Sequence, residues 1–185
     1  MRLIDAINVT LSALGESEIM SLSTSNPSAG VARSAIKRGT RALLSTGWWF
    51  NTINIDVQAP QSGEIKLPSN AVSVFDKVGQ NLYGIRDGVL YNLATQSKFF
   101  TGRVQVQVRL GIDFEDLPEY PAQYIAYTAA AEVYMNDLGT DNNVQQLQMK
   151  AQEMYRLMHM EQVRVQKMNT SRTPQGFRIR RSISI

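Results

Sequence analysis

The sequence predicts an α+β protein: a four-helix bundle, a small antiparallel β-sheet domain inserted in it, and an extended C-terminal tail. Three observations predict it. Apolar residues recur at helical spacing near both ends of the chain. Between them, from Trp48 to Leu110, the period falls to two. After the last helical stretch, Pro174 and Gly176 break the pattern before a basic, alternating end. The expected boundaries are 1–47 and 118–169 for the bundle, 48–117 for the inserted sheet and 170–185 for the tail.

The first helix is read from Leu3, Ile4, Ile7, Leu11 and Leu14, with Gly15 as its stop. A Ser-rich loop follows and ends at Asn26-Pro27. Proline suits the first turn of a helix, where its missing N–H is not needed. The second helix spans about Pro27 to Thr46. Ala32, Ala35, Ile36, Gly39 and Leu43 mark its buried side, and Arg33, Lys37 and Arg41 form a basic stripe beside it. Gly47 is its expected end.

In the period-two region, Ile53, Ile55 and Val57 alternate with Asn54 and Asp56, and Val104, Val106, Val108 and Leu110 with Gln105, Gln107 and Arg109. Between these runs lie Ile65/Leu67, Val72/Val74, Leu82-Tyr83 and Val89-Leu90-Tyr91. Turn signals separate them at Gly79-Gln80-Asn81 and Asp87-Gly88. Five or six antiparallel strands are expected. Helical spacing returns at Pro118 and stops at Gly139, with Thr128-Ala129-Ala130-Ala131 small enough for another helix to approach closely. A fourth helix is expected from about Asn142 to Met168, on the order of 40 Å long. Its inner stripe is Val144, Leu147, Ala151, Met154, Tyr155, Met158 and Gln162.

Composition narrows the chemistry. With 43% hydrophobic and 19% charged residues among 185, the chain can bury a core. It has no cysteine, so disulfides, thiolate zinc sites and cysteine nucleophiles are excluded. No apolar run reaches the roughly 20 residues of a membrane span. An acid, Asp5, sits in the first apolar stretch, unlike a signal peptide, so a soluble protein made in the cytoplasm is expected. The net charge of +3 is a property of the end of the chain. Residues 170–185 hold Arg172, Arg178, Arg180 and Arg181 and no acid, leaving 15 basic against 16 acidic side chains elsewhere. A uniformly nucleic-acid-binding body would be more basic.

Four features could carry chemistry. The sole histidine, His159, has no second histidine or cysteine for a zinc site, and a surface or packed helix position is the favoured reading. Asp113, Glu115, Asp116 and Glu119 could supply paired carboxylates for glycoside hydrolysis. They also precede a helix, whose macrodipole favours negative charge there, and structure outweighs catalysis or cation binding. Trp48-Trp49-Phe50 could stack on bases or sugars, but a core hinge between bundle and sheet is favoured. The Arg33/Lys37/Arg41 stripe could track phosphates or pair with acids of a neighbouring subunit, and the second is favoured. No phosphate loop or dinucleotide fingerprint is present.

An ordered set of motifs adds to this. Leu3-Ile4-Asp5-Ala6-Ile7-Asn8 with Leu11-Ser12-Ala13-Leu14-Gly15-Glu16 comes first, then Ala32-Arg33 and Ser45-Thr46-Gly47-Trp48-Trp49-Phe50-Asn51. Tyr83-Gly84, Gly88-Val89-Leu90-Tyr91-Asn92, Thr95-Gln96-Ser97, Phe99, Arg109-Leu110 and Phe114-Glu115-Asp116-Leu117-Pro118-Glu119 follow. Over residues 3–138 this order resembles the tail tubular protein A family of short-tailed, autographivirus-type podovirus bacteriophages, also called head-to-tail adaptors or gatekeepers. The closing Gly-Trp-x-Phe-Asn is the most specific element. The resemblance implies a virion structural protein without enzymatic activity or cofactor. It implies a dodecameric ring that docks on the portal protein above and receives the nozzle, tail tubular protein B, below, with DNA passing through its lumen. The rival readings are a tail-associated hydrolase, either a glycosidase acting on capsule or a nuclease, and a non-specific DNA-binding module.

On this reading the subunit interface falls to Arg33, Lys37, Arg41, Thr128 and Ala130. The tail matches no family motif and is read from its chemistry alone. Phe177, Ile179, Arg181, Ile183 and Ile185 share one face if extended, with Arg178 and Arg180 on the other. That alternation predicts a strand added to another sheet, the portal's first, a neighbouring adaptor's second, with DNA contact third.

Overall fold

The computed structural model describes residues 1–23, 25–76 and 82–165. The tail residues Phe177, Arg178, Ile179, Arg180, Arg181, Ile183 and Ile185, and the Gly79-Gln80-Asn81 turn, lie outside them. The protein is α+β, with four helices and two small antiparallel sheets among the described residues.

Helix α1 (Leu3–Ala13) buries Ala6, Ile7, Thr10 and Leu11. It ends because Gly15 takes φ 75°, which lets Gly15 N–H donate to Ser12 O (3.1 Å) and Glu16 N–H to Leu11 O (2.9 Å). Helix α2 (Pro27–Thr46) starts on Asn26, whose side chain accepts from Ala29 N–H at 3.0 Å. Helix α3 (Glu119–Leu138) begins one residue later than Pro118 and lies against α1, α2 and α4 (Asn142–Val165). Its close approach to α2 centres on Gly39: a Cβ there would stand 3.3 Å from Ile125 Cγ2. Ile7, Leu11, Ile36, Leu43, Ile125, Ala126 and Met158 belong to one core shared by all four helices.

The region between α2 and α3 has, among the described residues, five strands, β1 (Thr52–Gln58), β2 (Ala71–Asp76), β3 (Tyr83–Arg86), β4 (Val89–Asn92) and β5 (Arg103–Leu110). They form a three-stranded sheet in the order β1-β5-β2 and a separate β3-β4 hairpin. The hairpin turns at Asp87-Gly88, both at positive φ. Ile53, Ile55 and Val57 stand opposite Val108, Val106 and Val104, so the alternation expected in both runs meets in register. Ile65 and Leu67 are buried in this second core but do not form a strand; Glu64 and Lys66 make single bridges to Phe99 and Val89. Trp48-Trp49-Phe50 is likewise a turn and not the start of a strand.

Candidate functional site

The junction between helices and sheet is held by Asn51, a fully buried polar residue. Its Oδ1 accepts from Trp48 N–H at 2.7 Å, and its Nδ2 donates to Leu44 O (2.9 Å) and Leu110 O (3.1 Å). One amide thus satisfies the end of α2, the aromatic turn and the end of β5. Trp48 is buried, donates from Nε1 to Leu43 O at 3.1 Å, and meets Tyr155 and His159 edge-on at 5.9 and 5.3 Å. His159 and Trp48 are therefore part of an aromatic packing cluster. Trp49 N–H donates to Gln162 Oε1 at 2.8 Å and ties the far end of α4 to the same turn. Sequence reasoning placed Trp48 at the hinge and quoted Asn51 as the last residue of the Gly-Trp-x-Phe-Asn motif, without assigning it a role in the junction.

Two members of the acidic cluster are engaged at helix ends. Glu115 Oε1 accepts from Leu3 N–H at 3.1 Å, at the start of α1. Glu119 accepts from Gln123 (2.7 Å) and lies 3.1 Å from the amino group of Met1. The Gln123 hydrogen bond, then that ammonium group, holds its carboxyl below the ordinary glutamate range.

Among the described residues several concavities open outward, and two of them hold expected interface residues. The larger, about 790 Å³, lies between α2 and the segment joining β5 to α3. Arg33, Lys37 and Arg41 line one wall, Asp113 and Glu115 the other, with Ile36, Leu44 and Phe114 between them. Arg33 donates to Leu22 O at 3.1 Å. Among the described residues Lys37 and Arg41 have no ion-pair partner. The cation that joins α2 to α3 is instead Arg38, 2.6 Å from Glu132 and outside the expected stripe.

The second concavity, about 400 Å³, is an apolar groove between α3 and α4, lined by Tyr124, Thr128, Ala131, Met135, Ala151 and Tyr155, among others. Thr128 is exposed in it. Ala130 is not at the surface: it is 0% exposed and packs with Val144 and Leu147 of α4 in the same chain. The close approach expected from the small residues is thus made within the chain, because Ala130 points into the α3–α4 seam while Thr128, two residues earlier, points out of it. The structure places Arg33, Lys37 and Arg41 in one cleft and Thr128 in a different one.

Residues 4–168 match the family described as tail tubular protein. Tail tubular protein A of Klebsiella phage KP34 is 46% identical over 182 residues, covering 98% of each chain. With that match spanning both cores, the Asn51 junction and both concavities, the chain belongs to the tail tubular protein family.

Proposed function

We propose that this chain is a ring-forming head-to-tail adaptor, a non-enzymatic structural component of a phage tail. It docks on the portal and on the tail nozzle, and DNA passes through its lumen. The carrying observation is the apolar groove between α3 and α4, open to solvent beside exposed Thr128, Met135 and Tyr155. A helix pair with a partly apolar, partly Gln-lined outer groove suits a contact that must be soluble before assembly and buried after it. Lys37 and Arg41, without an ion-pair partner among the described residues, supply a second contact, to acids of the adjoining copy.

Two further observations support this reading over its rivals. Two of the four acids that could supply paired carboxylates, Glu115 and Glu119, are taken up at the start of α1. The body without residues 170–185 has 15 basic and 16 acidic side chains, which suits a channel wall that must not retain DNA.

The test is particle size with and without portal. The wild-type chain should give rings by electron microscopy, alone or on portal. Thr128→Trp should keep its helical circular dichroism and lose the rings. A wild-type chain that stays monomeric even with portal would overturn the adaptor reading. Rings formed normally by Thr128→Trp would remove the groove from the interface.

A further inference from the structure

Among the described residues strand β1 stands at the edge of its sheet. Among the described residues it pairs with β5 alone. In an antiparallel ladder alternate residues of such a strand present their N–H and C=O groups outward, ready for another strand. Natural edges are blunted by proline, lysine, bulges or an inward-pointing charge. β1 (TINIDVQ) has neither proline nor lysine, and its pairing with β5 runs without a register shift.

Its apolar face is also incomplete. On β5, Val104, Val106 and Val108 are buried. Directly opposite, Ile55 and Val57 are only half-buried, and Ile53 is 37% exposed. The apolar row of the sheet therefore continues past β1 with nothing covering it among the described residues.

We propose that residues 177–185 of the same chain occupy this edge as a fourth strand, next to β1. Three features of the chain carry the assignment. The first is reach. α4 is described as far as Val165, three residues after Gln162, which is hydrogen-bonded to Trp49. Trp49 lies three residues before β1 begins at Thr52. The eleven residues 166–176 can extend roughly 36 Å, while the seven of β1 cover only about 23 Å. Either direction of pairing is within reach, and the short tether gives the segment a high effective concentration at β1.

The second feature is pattern. With Phe177, Ile179, Ile183 and Ile185 continuing the row of Ile53, Ile55 and Val57, Arg178 and Arg180 fall on the polar face with Asn54 and Asp56. Asp56 already holds Arg103 (2.6 Å) and Gln105 (2.8 Å) there, and a carboxylate can accept further donors.

The third is the position of Arg181. It falls on the apolar face, in the middle of the segment. An inward-pointing charge is what a terminal edge strand carries to prevent further addition, and β1 has none. The segment thus supplies both the missing apolar cover and the missing edge protection. The acceptor is then the adaptor's own sheet, not the portal's.

The chain has no cysteine, so the two introduced ones are the only thiols that can form a disulfide. In the full-length protein, Asn54→Cys is combined in turn with Arg180→Cys, Ser182→Cys and Ser184→Cys, which share the polar face. It is also combined with Ile179→Cys, Arg181→Cys and Ile183→Cys, which do not. Mild oxidation in dilute solution should give a disulfide within one chain for one or two of the first set and none of the second. No disulfide in any pair, equal yields in both sets, or disulfides mainly between chains would overturn the assignment. Independently, Ile179→Asp with Ile183→Asp in the full chain should speed amide exchange in β1 by about tenfold or more and leave α3 unchanged. Equal β1 exchange in that variant and the wild type would overturn the assignment as well. Neither measurement depends on ring assembly, so the adaptor reading and this one fail separately.

Discussion

Helices α3 and α4 are neighbours of similar length built on opposite terms. α3 buries nine of its 20 residues and touches all three other helices. α4 buries four of 24, Val144, Leu147, Ala151 and Met158, and packs chiefly on α3. The cause is in the sequences: α3 (EYPAQYIAYTAAAEVYMNDL) places alanine or a larger apolar group on nearly every side, whereas α4 (NNVQQLQMKAQEMYRLMHMEQVRV) is rich in glutamine and charge outside one narrow stripe. α3 is the axle of a finished core. α4 is fastened along one seam and at its two ends, by Asp141 at the first and by Gln162 at the second. Its other sides are mostly exposed among the described residues.

The comparison breaks first at Ile125. This side chain is 1% exposed and lies where α3 passes Gly39 of α2. Ile125→Ala should cost about 3–4 kcal/mol of unfolding free energy, read as a lower urea midpoint with an unchanged slope. A loss below about 1 kcal/mol would mean that α3 is not the central element.

Met158 sharpens the contrast within α4. It is 0% exposed and belongs to the main core, whereas Met149, nine residues earlier, is 61% exposed. Met158→Ala should cost about 2–3 kcal/mol and Met149→Ala less than about 0.5 kcal/mol, each measured by urea denaturation. Equal losses would show that the outer side of α4 is already part of this chain's core.

What could be read in the sequence follows the same division. Ile7, Leu11, Ile36 and Val104/Val106/Val108 repeat at the period of their element, and each was placed in the core that it occupies. Ile65 and Leu67 also alternate, yet without a neighbouring strand in register they form only isolated bridges around themselves. Periodicity reports a buried side, not a hydrogen-bonding partner. Asn51 has no period at all: its role comes from Leu44 and Leu110 meeting at one point, a tertiary fact. Arg38 was passed over for the regular Arg33/Lys37/Arg41 stripe because its partner, Glu132, lies 94 residues away. The same limit misplaced Ala130. Small side chains announce a close helix contact but not whether the other helix belongs to the same chain.

The smallest effect is at the first fastening of α4. Asp141 precedes the helix, and its carboxylate accepts from Asn143 N–H (2.8 Å), Val144 N–H (3.2 Å) and the Tyr134 hydroxyl (2.7 Å). It therefore caps α4 and joins it to α3 in one step. The Tyr134 hydrogen bond first, then the two backbone N–H groups, holds its pKa below the ordinary aspartate value of 3.8. A carboxylate with a depressed folded pKa stabilises fully above the unfolded value, and the effect is lost as pH falls through the folded one. Asp141→Ala should thus lower the melting temperature slightly, by a constant amount between neutral pH and about pH 5. The gap to wild type should close as the pH drops below 3.8 and the wild-type carboxylate takes its proton. Melting curves of both proteins across that range decide it. A gap that persists in acid would assign the loss to packing against Tyr134, not to the charged cap, and α4 would then owe its start to the same kind of contact that holds α3.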